Sequence, residues 1–117
     1  SFKLPPKPVP KVDIDIYNGM VAVYKDITKH SNAVEKLNKE IVSLRQELDR
    51  STGIFKGGER KRLNNRIEKA GASRDEHSKA ISEIVRKAGY SSTQSFMRAF
   101  NQARELVGQY KYELSVW

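Results

Sequence analysis

Two runs of apolar residues at heptad spacing, on either side of one glycine-rich segment, constrain the fold of this chain more than any other feature. Within each run the residues follow one another on alternating steps of three and four, which is typical of the seam between paired helices. The first run has His30 at one seam position and otherwise comprises Met20, Val23, Ile27, Val34, Leu37, Ile41, Leu44 and Leu48. The second comprises Leu63, Ile67, Ala70, Arg74, His77, Ile81, Ile84 and Ala88.

The segment between the two runs, residues 51–58, contains three glycines and predicts a tight reversal of the chain. Two heptad helices joined by so short a loop are expected to fold back on each other in antiparallel orientation. Counting outward from the loop places Leu44 opposite Leu63 and Val34 opposite Arg74. The same count places His30 and His77 in one layer of the seam.

A third apolar stripe at helical spacing follows Gly89, a typical helix terminator, and the capping hydroxyls of residues 91–93. It comprises Phe96, Phe100, Ala103, Val107, Tyr110 and Leu114. The flanks of the first helix are apolar near its start (Val21, Ala22, Tyr24, Ala33) and polar near the loop (Asn38, Glu40, Arg45, Glu47). We therefore predict an all-α fold, an antiparallel coiled-coil hairpin with a third helix packed on its proline-side half, which makes a three-helix bundle.

The sequence also predicts where the elements begin and end. All four prolines lie within residues 5–10, which predicts an extended Pro-rich linker over residues 1–12. The helical domain should then occupy residues 13–117, with helices at about 13–51, 58–88 and 92–115. Asp13 is a candidate N-cap, although the alternation of Val12, Ile14 and Ile16 could instead form a short extended piece. Because the chain starts with Ser1 and not Met, we expect it to be a fragment of a larger protein.

The formal net charge is +8, from 22 Lys and Arg against 14 Asp and Glu, which favours an acidic partner. Basic residues are densest just after the glycine loop, where only Glu59 and Glu68 oppose Lys56, Arg60, Lys61, Arg62, Arg66, Lys69 and Arg74. This cluster predicts sequence-tolerant contacts to DNA phosphates by Lys56, Arg60, Lys61, Arg62 and Arg66. The alternative is the solvated face of a long helix.

Two apolar residues in the loop, Ile54 and Phe55, have little predicted core to enter. They are candidates for an exposed tip that binds another protein chain or a second copy of this one. Alternatively, they could fold back on Leu48 and Leu63 and cover the end of the seam.

The two histidines admit three interpretations. A polar layer in a coiled coil fixes pairing and register, a pair of imidazoles can respond to pH, and two imidazoles can contribute to a zinc site. Asp26 and Asp75 lie within a turn of the pair, but no cysteine is available to complete a metal site. We expect no bound metal and no cofactor.

No catalytic constellation is recognisable in the sequence. The Gly57-Gly58 segment does not have the order of a phosphate-binding P-loop, no Ser or Thr has a base beside it, and heptad seams are solid. We therefore expect neither enzymatic activity nor a small-molecule substrate. The absence of cysteine favours a reducing cytoplasm, and the absence of an apolar run of roughly 18 residues predicts no contact with membranes.

Two segments, residues 53–61 (Gly-Ile-Phe-Lys-Gly-Gly-Glu-Arg-Lys) and residues 82–96 (Ser-Glu-Ile-Val-Arg-Lys-Ala-Gly-Tyr-Ser-Ser-Thr-Gln-Ser-Phe), resemble a helical region of MobA/MobL-type plasmid mobilisation relaxases. The resemblance covers about Leu37 to Tyr112. In those proteins the region lies outside the nuclease domain, which nicks DNA with a tyrosine and a histidine-bound metal. None of those catalytic residues can be assigned here. The resemblance implies an accessory module that works near DNA or the transfer machinery.

Overall fold

Three helices form the regular structure of residues 4–117, the part of the chain that the computed structural model describes. They are α1 (Ile14–Arg50), α2 (Gly57–Lys87) and α3 (Thr93–Val116), and no strand occurs within the described residues. The predicted all-α, three-helix fold is confirmed. Each helix end lies within one residue of its predicted position, and residues 1–3 of the predicted linker lie outside the described residues.

Helix α1 begins at a side-chain cap. The Oδ1 atom of Asp13 accepts hydrogen bonds from the backbone N–H groups of Asp15 at 2.8 Å and Ile16 at 3.2 Å. These are two of the donors that a helix start leaves without an intrahelical partner, and satisfying them stabilises a helix by about 1 kcal/mol. The alternative of an extended piece at residues 12–16 is therefore wrong.

The connection between α2 and α3 combines a helix terminator with a helix initiator. Gly89 has a φ of +92° and donates its N–H to the carbonyl of Arg86, while the N–H of Tyr90 reaches the carbonyl of Val85. This is the Schellman arrangement, which favours glycine because other residues are strained at positive φ. Helix α3 then starts with a capping box, in which Ser92 and Ser95 each accept the other's backbone N–H.

The chain divides into two compact units. The hairpin unit consists of Asp26–Ile84 and contains parts of α1 and α2 only. Among the described residues, the terminal unit consists of residues 4–25 together with Val85–Trp117, so that α3 packs with the proline-side part of α1 and the end of α2. The flanks of α1 had predicted only that α3 packs on the proline-side half of one helical domain.

The core of the terminal unit is built around aromatic rings. Phe96 is fully buried, and Phe100 stacks on it with ring centroids 5.9 Å apart. Tyr24 of α1 also stacks on Phe100, at 4.7 Å, and Tyr90 meets the ring of Phe96 edge-on at 5.3 Å. Val85, which is off the predicted seam, is also buried in this unit.

The proline-rich residues contact α3 within the terminal unit. The indole Nε1 of Trp117 donates a hydrogen bond of 2.9 Å to the carbonyl of Pro5. Val9 lines a small crevice together with Leu106 and Tyr110 of α3. Residues 4–10 have no regular secondary structure, and these contacts place them against α3.

The hairpin unit has a narrow core, as expected for a seam between two helices. Its buried apolar residues are all seam positions, namely Ile27, Ile41, Leu44, Leu63 and Ala70. Three contacts between α1 and α2 fix the antiparallel register: His30 with His77, Glu40 with Arg66, and Asn38 with Arg74. The two histidines share one layer, as the heptad count predicts.

Candidate nucleic-acid interface at the hairpin tip

The hairpin tip comprises the loop at residues 51–56 and the first turns of α2 as far as Arg66. Ser51 is buried, and its hydroxyl donates a hydrogen bond of 3.0 Å to the carbonyl of Glu47 at the end of α1. Gly53 has a φ of +122°, a backbone conformation that L side chains rarely adopt. The reversal therefore depends on a small buried residue at the end of α1 and on one glycine.

Arg60 holds this loop against the end of α1. Its Nη1 atom donates hydrogen bonds to the carbonyls of Leu48 at 2.9 Å and Ser51 at 2.8 Å, and the side chain is half-buried. The Leu48 carbonyl also accepts the backbone N–H of Ser51 at 3.1 Å, so Arg60 adds a second, charged donor there. A cation at the end of α1 also interacts favourably with the helix dipole. Arg60, one of the predicted phosphate ligands, thus also has a structural role in holding the loop.

The other predicted phosphate ligands are exposed. Lys56 forms an ion pair of 3.3 Å with Glu59, and Arg66 lies 3.9 Å from a carboxylate oxygen of Glu40. Within residues 4–117, neither Lys61 nor Arg62 forms an ion pair. Exposed ion pairs are worth about 0–1 kcal/mol, so a phosphate can replace Glu59 or Glu40 at little cost.

The apolar part of the tip is open to solvent. Ile54 is 90% exposed and Phe55 is 92% exposed, the two highest values among the large hydrophobic residues of the described chain. The alternative in which they fold back on Leu48 and Leu63 is therefore not adopted. Leu63 is fully buried, at 0% relative exposure, although Ile54 and Phe55 do not cover it.

The amides at the start of α2 also face the tip. Gly57 and Gly58 form the first turn of the helix, and a Cβ atom built on either would meet nothing within 4 Å. The N–H groups of a first turn have no intrahelical acceptor, and the positive end of the helix dipole lies beside them. Open backbone at a helix start with lysine and arginine nearby suits an anion, although Glu59 also lies in this first turn.

Away from the tip, the two histidines form another polar contact within the hairpin unit. The Nδ1 atoms of His30 and His77 lie 2.8 Å apart, and both rings are partly buried. Within residues 4–117, no group of three or more His, Cys, Asp or Glu side chains is placed to hold a metal ion. Nor does any helix of the described chain have the length of apolar sequence needed to cross a membrane.

Comparison of the chain with protein-family models, with curated proteins and with solved structures finds no match. The resemblance to the accessory region of mobilisation relaxases therefore stays a hypothesis based on the residues quoted above.

We predict that Arg60→Ala lowers the free energy of unfolding by about 1–3 kcal/mol, because it leaves the carbonyls of Leu48 and Ser51 without their charged donor. Urea denaturation followed by circular dichroism measures the change. Lys61→Ala, a neighbouring exposed cation, is the control and should change stability by less than about 0.5 kcal/mol. Equal effects of the two substitutions would contradict the structural role of Arg60.

Proposed function

We propose that this chain is a non-catalytic helical accessory module of a mobile-element DNA-processing protein, and that it contacts DNA through the cations of the hairpin tip. The main support is the exposure of Lys61 and Arg62 in the first turns of α2, next to a loop that Arg60 holds in place. The net charge of +8 and the resemblance to relaxase accessory regions agree with this function. A cysteine-free, DNA-associated module is expected to act in the cytoplasm.

The proposed contacts are to the sugar–phosphate backbone. Lysine and arginine at the tip supply charge, and Lys56 and Arg66 can exchange weak ion pairs for phosphate oxygens. Phosphate contacts position a protein on DNA without reading its sequence. The binding should therefore tolerate any sequence and weaken steeply as salt concentration rises.

We predict that the double substitution Lys61→Ala with Arg62→Ala weakens DNA binding and reduces the slope of log K against log salt by about 2, one counterion for each lost phosphate contact. Fluorescence anisotropy with labelled single-stranded and double-stranded DNA at several salt concentrations measures both quantities. A matched control is Arg98→Ala with Lys111→Ala, two exposed cations of α3.

Because both variants lose two positive charges, they separate a local site from an effect of net charge. If the two variants bind equally, the tip is not the interface. If the unchanged protein binds neither form of DNA at low salt, the proposed function is wrong.

A second candidate function is protein interaction or self-association without nucleic acid, in which the tip inserts Ile54 and Phe55 into another chain. The near-complete exposure of these two adjacent large side chains favours it. Exposed apolar residues that form a patch are common at protein interfaces. Burying both would contribute about 3–6 kcal/mol to association before the entropic cost of binding.

If self-association is the function, the molar mass measured by light scattering should rise with concentration, and Phe55→Asp should return the protein to a monomer. Ile16→Asp, at an exposed position of α1 in the terminal unit, is the control and should leave association unchanged. A monomeric mass at all concentrations would exclude the self-association form of this function.

A further inference from the structure

The contact between the two histidines depends on how many protons the pair carries. His30 lies on α1 and His77 on α2, with ring centroids 5.1 Å apart and ring planes tilted by 48°. Their Nδ1 atoms are 2.8 Å apart, which is hydrogen-bond distance. A hydrogen bond between two ring nitrogens needs one donor N–H and one lone pair, so the proton must lie on one Nδ1 and be absent from the other.

Counting protons gives three states of the pair. When both rings are neutral, one ring carries its proton on Nδ1 and the other on Nε2, and the hydrogen bond forms. Adding one proton charges the donor ring and leaves the lone pair of the acceptor in place, so the bond persists. Adding a second puts a hydrogen on both Nδ1 atoms, which removes the acceptor and sets two positive charges against each other.

The surroundings do not neutralise a second charge. Within residues 4–117, neither imidazole forms an ion pair with a carboxylate. The ionisable residues within about one turn of the pair are Asp26 and Lys29 on α1, and Arg74, Asp75, Glu76 and Lys79 on α2. Both carboxylates that the sequence placed near the pair are exposed, and Asp75 is already paired with Arg74 at 3.3 Å. The neighbouring seam residue Ile27 is buried and apolar.

We propose that His30 and His77 form a proton-dependent clamp on the seam between α1 and α2. The clamp holds the two helices in register while the pair carries at most one added proton, and it releases them when both rings are charged. When both rings are charged the hydrogen bond between them is lost, and the stability of the hairpin unit therefore falls as the pH is lowered.

This clamp is a regulatory device that does not require the tip to bind DNA. It lies in the hairpin unit, which also carries the tip. Release of the seam would loosen the pairing of the helices that the tip loop joins. Acidification then acts on the tip through the two histidines.

The test uses the intact chain, whose only two histidines are His30 and His77. Thermal unfolding is followed by circular dichroism at about pH 7.5 and pH 5, the interval in which imidazoles titrate. The expected result is a melting temperature several degrees lower at pH 5. In ¹H–¹⁵N spectra of the imidazoles, protonation should occur in two separate steps, the second accompanied by loss of the folded signals.

A double variant, His30→Leu with His77→Leu, replaces the pair with apolar seam residues and should melt at nearly the same temperature at both pH values. It also measures any contribution of carboxylates over this interval. His77→Asn keeps a polar layer with one imidazole, and its melting temperature should depend on pH less than that of the unchanged protein. The proposal is overturned if the unchanged protein melts at one temperature at both pH values, or if both imidazoles take up protons independently while the fold persists.

Discussion

The register between α1 and α2 is the constraint on which the rest of the structure depends. Two seams at heptad spacing meet across a loop of six residues, and one inserted residue would rotate the following seam by about 100° away from its partner. With the register kept, Ile41, Leu44 and Leu63 are buried. The same register brings His30 and His77 to one level and leaves the cations after the loop on the surface of the tip.

The sequence predicted the helices and their pairing because these depend on local, repeating signals. Apolar spacing defines a helix face, Asp13 and Ser92 offer caps, and Gly89 can adopt the positive φ that ends α2. The histidine contact was predictable for the same reason, since a seam fixes which residues share a layer. Each of these features depends on neighbours in the sequence or on a simple count.

Other features depend on the conformation of a long side chain, which the spacing of apolar residues in the sequence does not determine. In the sequence, Arg60 is one of several neighbouring cations. Only the structure shows that it, unlike Lys61, donates hydrogen bonds to the carbonyls of Leu48 and Ser51. The hydrogen bond from Trp117 to Pro5 joins residues far apart in the chain. A periodic pattern in the sequence cannot predict such a contact. The sequence therefore predicted where the candidate site lies, but it did not predict which of its cations holds the loop.

Disulfide trapping tests the register most directly, because the natural chain has no cysteine. The pair His30→Cys with His77→Cys should cross-link readily within one molecule under mild oxidation. The pair His30→Cys with Ile84→Cys should not, because seven residues displace the second cysteine by about 10 Å along the helix, beyond the reach of a disulfide. Cross-linking of the second pair in preference to the first, or links only between molecules, would contradict the antiparallel register and the account built on it.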